Sequence, residues 1–223
     1  MSQSSPVRAL VWSEWTEPKN VYPNGIHGAI AEALNACKGI TASTAHLNEP
    51  EQGLSEARLA NADVLFWFGH GKHGAVEDVY VERVVRRVTQ DGMGFVPVHS
   101  AHYSKPFKAL MGTECGLGGW REDDKSERVK VLLPDHPIAK GVSEFVIPHD
   151  EMYSEPFAVP DPEAVVLYSY FEGGEEFRSG CCWTRGKGRI FYFRPGHETC
   201  PVYFQPEVKL ILCNAAFWTA RRT

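Results

Sequence analysis

Short apolar runs alternate with stretches of helical period along the first half of this chain. Val7 to Trp12 (V-R-A-L-V-W), Asp63 to Phe68 (D-V-L-F-W-F) and Gly94 to Val98 (G-F-V-P-V) read as buried strands, and Ile40 to Ala45 as a weaker one. Between them lie helical patterns. N-G-I-H-G-A-I-A-E-A-L places Ile26, Ile30 and Leu34 on one face behind Asn24 as a cap, with Gly39 closing the segment. Leu54 to Ala60 predicts a short helix. Val76 to Val88 aligns Val76, Val79, Tyr80, Val84 and Val88, with acids in the first turn and Asp91-Gly92 as the stop. Lys105 to Met111 is a further short helix.

The second half reads differently. Residues 112–160 are rich in Gly, Pro and charge, with one strand expected at Val129 to Leu133, and form an elaborated loop region on the same unit. Val165 to Tyr170 is a strand, and Phe177 to Trp183 and Arg189 to Phe193 flank a hairpin turn, T-R-G-K-G. Gln205 to Ala220 is a closing helix with Pro206 in its first turn. Strand–helix alternation followed by a hairpin predicts α/β architecture: three flavodoxin-like α/β/α layers around a mostly parallel sheet, with residues 1–223 as a single domain.

Composition narrows the function. A net charge of -5 with no basic run argues against a nucleic-acid or anionic-membrane partner. No run reaches the roughly 20 apolar residues of a membrane-spanning helix, and the N-terminal M-S-Q-S-S-P-V-R lacks a signal-peptide pattern, so a cytoplasmic location is expected. The six cysteines form no C-x-x-C pair and read as small core residues.

The histidines carry the candidate chemistry. His27 follows the loop after the first strand, His70 and His73 follow Phe68, His99 and His102 follow Val98, and His197 follows the strand ending at Phe193. The carboxyl ends of a parallel sheet gather along one edge, where ligands bind, so these imidazoles are expected to converge. His27, His70, His102 and His197 are the expected ligands of a divalent metal, zinc first, because neutral imidazole suits such ions. Acid–base work without metal is the other use. No nucleotide cofactor is indicated. Trp12, Trp15 and Trp120 are candidates for stacking on a ligand and Trp67 for the core, Glu14 is placed to turn inward, and Arg178 and Arg194 are expected to pair with acids.

Two segments resemble class I glutamine amidotransferase-like proteins. R-I-F-Y-F-R-P-G-H-E (Arg189 to Glu198) is similar to the strand that carries that superfamily's catalytic His and Glu, and V-P-V-H-S-A (Val96 to Ala101) to its nucleophile elbow. His99 stands where the cysteine would be and the flanking glycines are missing, so thioester chemistry is lost and the chain is not a glutaminase. Nearly the whole chain resembles the trehalose-utilisation (ThuA-like) family. The resemblance is carried by G-I-H-G-A-I-A-E, F-W-F-G-H-G-K-H, H-S-A-H-Y-S-K-P-F, D-E-M-Y-S-E-P-F, F-E-G-G-E-E-F-R-S-G and T-R-G-K-G-R-I-F-Y-F-R-P-G-H-E-T. It implies a carbohydrate ligand, a disaccharide or a keto-sugar made by a partner sugar dehydrogenase, and leaves room for a homo-oligomer. His99, Glu151, Tyr153 and Glu198 are then the expected catalytic residues, with Glu198 orienting His197. A hydrolase, lyase or isomerase is the first reading. A non-catalytic sugar-binding or regulatory protein on the same scaffold is the second.

Overall fold

In the computed structural model, which describes residues 5–222, the expected strands and helices form in the expected order. They are β1 (Val7–Ser13), α1 (Gly25–Asn35), β2 (Ile40–His46), α2 (Glu56–Ala60), β3 (Val64–Phe68), α3 (Asp78–Thr89), β4 (Gly94–Val98) and α4 (Lys105–Met111). The second half adds β5 (Gly119–Arg121), β6 (Glu127–Val131), β7 (Phe145–Ile147), β8 (Met152–Ser154), β9 (Ala164–Phe171), β10 (Glu176–Arg185), β11 (Gly188–Phe193) and α5 (Pro206–Thr219).

Nine strands form one sheet in the order β2-β1-β3-β4-β11-β10-β9-β6-β7. The strands from β2 to β11 run parallel, and the rest extend the sheet by antiparallel pairing. Side-chain alternation splits the core between the two faces. Val7, Ala9 and Val11 with Phe66, Phe68, Phe191 and Phe193 pack under α1 and α5. Leu10, Trp12, Leu65, Trp67, Phe95, Ile190 and Tyr192 pack on the other face under the α2–α4 side. This is the three-layer arrangement, and it explains the continuous apolar runs: a strand covered on both faces has no polar side to show.

Local details depart from the pattern reading. The Asn24 side chain makes no cap bond, and the Glu17 carboxylate accepts from Ile26 N instead at 3.0 Å. Helix α3 begins only at Asp78, so its buried face is Val81, Val84 and Val88, and Val79 is exposed. Residues 112–160 hold four short strands, not one. Their three-residue pieces are too short to show a period, and pairing with distant partners makes them. Among these, β5 and β8 form a separate two-stranded ribbon, with Trp120 directly opposite Tyr153. No helix among the described residues is long and apolar enough to cross a membrane.

Candidate functional site

Strand register builds the site. Phe68 pairs with Val98, and Val98 with Phe193, so β3, β4 and β11 end side by side. The residues just beyond them therefore emerge together. The rings of His70, His99 and His197 stand 5.1–5.9 Å apart, centroid to centroid. Glu151, immediately before β8, completes the group: one ligand atom from each of His70, His99, Glu151 and His197 lies within 4.8 Å of all the others.

Each imidazole is held by the same nitrogen. Nδ1 of His70 lies 2.5 Å from Glu198 Oε1, Nδ1 of His99 lies 3.0 Å from the Arg194 carbonyl, and Nδ1 of His197 lies 2.7 Å from Thr199 Oγ1. That leaves Nε2 of each ring for the centre. Nε2 of His99 is 3.0 Å from Glu151 Oε2, and Nε2 of His197 is buried without a hydrogen-bond partner. Anchored Nδ1 with a converging Nε2 is how metal-ligating histidines are oriented, so this set can hold a divalent ion.

His99 occupies the elbow with φ +52°. A non-glycine residue in this left-handed region costs roughly 1–3 kcal/mol. The strained turn thus forms without its flanking glycines. It is held by the bond to the Arg194 carbonyl, by Tyr192, whose hydroxyl donates to the His99 carbonyl at 2.9 Å, and by Tyr153, whose ring stacks on the imidazole with centroids 5.2 Å apart.

Two buried carboxylates set the loops. Glu14, just past β1, accepts from the backbone N–H groups of His70, Gly71 and Lys72 at 3.0, 2.9 and 2.7 Å and so folds the His70 loop. Asp150 accepts from Glu151 N, Gly196 N and His197 N, each at 2.9 Å, and from Arg194 at 2.8 Å, tying both sides of the centre to one side chain. Arg194 is wholly buried and also reaches Glu127 and the Glu151 carbonyl. Neither Asp150 nor Glu127 stands out in the sequence: an acid in a loop or at a strand start gives no sign of burial.

Burial and neighbouring charge act differently on each group. Burial pushes the Glu151 carboxyl up, but the hydrogen bond and charge of His99, with His197 and His70, hold it down at about 2. The hydrogen bond to Glu198 raises His70 against its burial. Burial, then His99, lowers His197. Burial raises the Tyr153 phenol, so it stays a neutral hydroxyl, 2.9 Å from Ser100 Oγ.

Of the four expected ligands, the structure brings together His70 and His197. It sets His27 apart: Nδ1 of that ring lies 2.7 Å from Ser13 Oγ and its neighbours are Trp15 and His46. His102 is buried behind the site, with Nδ1 2.9 Å from the Cys115 carbonyl and its ring beside Tyr103 and Tyr153. Their places are taken by His99 and Glu151, expected as catalytic groups. His99 is the first residue beyond β4, whereas the ring of His102, a turn further on, is held away from the group by the Cys115 carbonyl. Glu198 serves His70 rather than His197, whose Nε2 is 3.7 Å from Oε2. Trp12 is core, stacked on Trp67 at 3.9 Å, while Trp15 and Trp120 are exposed. Arg178 pairs with Glu155 at 2.8 Å.

Comparison with known proteins follows the same lines. The family model described as trehalose utilisation matches residues 8–219. A ThuA-like protein from Parabacteroides merdae superposes with a TM-score of 0.71 at 17% identity, covering 97% of this chain and 90% of that one. One from Bacteroides uniformis gives 0.69 at 18%, covering 98% and 94%. A glutamine amidotransferase from Thermotoga maritima gives 0.57 at 10%, covering 99% and 100%. At these identities the likeness is one of fold. None of the curated proteins matches the sequence.

Proposed function

This chain belongs to the trehalose-utilisation family, and we propose that it processes a carbohydrate at a divalent-metal centre held by His70, His99, His197 and Glu151. The observation that carries the reading is the common anchoring of the three rings through Nδ1, together with the gathering of one ligand atom from each ring and from Glu151 within 4.8 Å. Three imidazoles and one carboxylate suit zinc first. A bound ion would polarise a sugar oxygen or acidify a water.

The chain's own residues supply the rest. Tyr153 keeps its proton and can donate to a substrate oxygen beside the centre. Glu122, more than half exposed and 3.5 Å from His197 Nε2, is the carboxylate with access to solvent for proton transfer. His99 in place of a cysteine supports a chemistry other than thioester formation. Disaccharides and their keto derivatives, the latter delivered by a partner sugar dehydrogenase, are the substrates this reading selects.

Metal analysis of the purified protein tests it. About one divalent ion per chain is expected, lost in His99→Ala and His197→Ala and kept in His27→Ala. An ion-free protein that takes up no added zinc, or an ion kept by both site variants, would overturn the reading.

A further inference from the structure

Beside the histidine centre lies a cavity of about 260 Å³. His70, Glu151 and Tyr153 line it, together with Tyr103, Leu117 and Trp120. Trp120 is 63% exposed and Tyr103 38% exposed, the large aromatics one would expect a soluble surface to hide. Their placement follows from the fold. Residues directly opposite in an antiparallel pair share a face, so the β5–β8 pairing sets Trp120 beside Tyr153, which itself stacks on His99. The ribbon is pinned at Arg121, which pairs with Asp123 and Glu175.

Charge gives the second constraint. A neighbouring cavity of about 280 Å³ is lined by Glu122, Asp123, Asp124, Asp150, Glu151 and His197, among others. No lysine or arginine is among the described residues lining either cavity. Of the cations around them, Lys108 is engaged with Glu114 at 2.9 Å, Lys125 with Asp123 at 3.5 Å and Arg194 with Glu127 and Asp150, while Lys72 of the His70 loop is exposed and lines neither cavity. A divalent ion at the centre would be offset by Glu151, Glu122 and Glu198. Phosphate and carboxylate ligands are held by Arg, Lys or free backbone N–H groups, and the N–H groups of the His70 loop are taken by Glu14.

We propose that this cavity is a subsite for an uncharged pyranose, stacked on Trp120 with Tyr103 at its edge, and that it rejects sugar phosphates and uronic acids. The inference rests on the carbohydrate reading above and sharpens it to a substrate class. Apolar C–H faces of a pyranose match an exposed indole, and its hydroxyls match the acceptor-rich wall of Glu122 and Glu151.

Tryptophan fluorescence titration of the full-length protein as purified tests this, with metal content measured on the same sample. The probes are methyl glucoside, trehalose, glucose 6-phosphate and glucuronate. The neutral sugars should bind at least about tenfold more tightly than the anionic ones, and Trp120→Ala should weaken neutral-sugar binding about tenfold while metal content stays unchanged. Because that variant removes a reporter, its affinities are read by calorimetry. Anionic sugars binding as tightly as neutral ones, or a Trp120→Ala protein with unaltered affinity, would overturn the subsite while leaving the carbohydrate reading standing. Binding of none of the four sugars would overturn both.

Discussion

Glu198 Oε1 lies 2.5 Å from Nδ1 of His70 and holds that ring with its other nitrogen free for the centre. The pair joins the ends of β3 and β11, two segments more than a hundred residues apart in the chain. Glu198→Gln keeps the shape and removes the charge. It should lower zinc affinity roughly 10–100-fold, the usual effect of losing a carboxylate behind a ligating histidine. Competition with a chromogenic chelator measures it; an affinity within twofold of the parent would refute the role.

Arg194 sits with Glu127 and Asp150 in a pocket closed to solvent. Arg194→Met leaves two buried carboxylates without their counter-charge. The expected loss is about 3–5 kcal/mol of unfolding free energy, read from urea denaturation. Combining it with Glu127→Gln should recover part of that loss, because one of the uncompensated charges is gone.

Gly196 adopts φ +127°, and a Cβ there would clash with the Tyr203 hydroxyl oxygen. Gly196→Ala must therefore move the turn between Arg194 and His197. A loss of about 1–3 kcal/mol is expected from backbone strain alone. Zinc affinity should fall with it, because Asp150 holds Gly196 N and His197 N together. A thermal melt and a zinc titration on the same variant check both.

Acid should weaken the fold through buried histidines outside the centre, His27 and His102 among them. Burial, then His46, lowers His27 from 6.5 to about 4, and burial lowers His102 from 6.5 to about 3. Above pH 6.5 both are neutral whether the chain is folded or not, and neither adds pH dependence. Below it the unfolded chain takes up protons that the folded chain refuses, so stability falls from pH 6.5 towards 4 for His27 and towards 3 for His102. The slope is at most about 1.4 kcal/mol per pH unit for each ring. Urea midpoints at pH 7.5 and 5.0, taken with a chelator present, should differ, and His27→Gln should narrow the difference. Equal midpoints would contradict the assignment.

Much of the fold was legible because the central strands are buried on both faces. V-L-F-W-F and G-F-V-P-V must be apolar throughout, and that run is visible without partners. The β5–β8 ribbon was not legible, since three residues cannot display a period and their pairing spans more than thirty positions. The site was legible in part. Strand-end position marked His70, His99 and His197, and the resemblance marked Glu151.

The sequence by itself determined the layer architecture, the sheet edge at which the histidines gather, and the histidine that stands just beyond β4 at position 99. These follow from local periodicity and from residue identity at one position. Only the tertiary structure decided which histidines meet. His27 and His102 share the strand-end address, yet Ser13 and the Cys115 carbonyl turn their rings elsewhere. Ring direction depends on where Nδ1 finds its partner, and for His70, His99 and His102 that partner lies on another segment, so no local pattern can encode it.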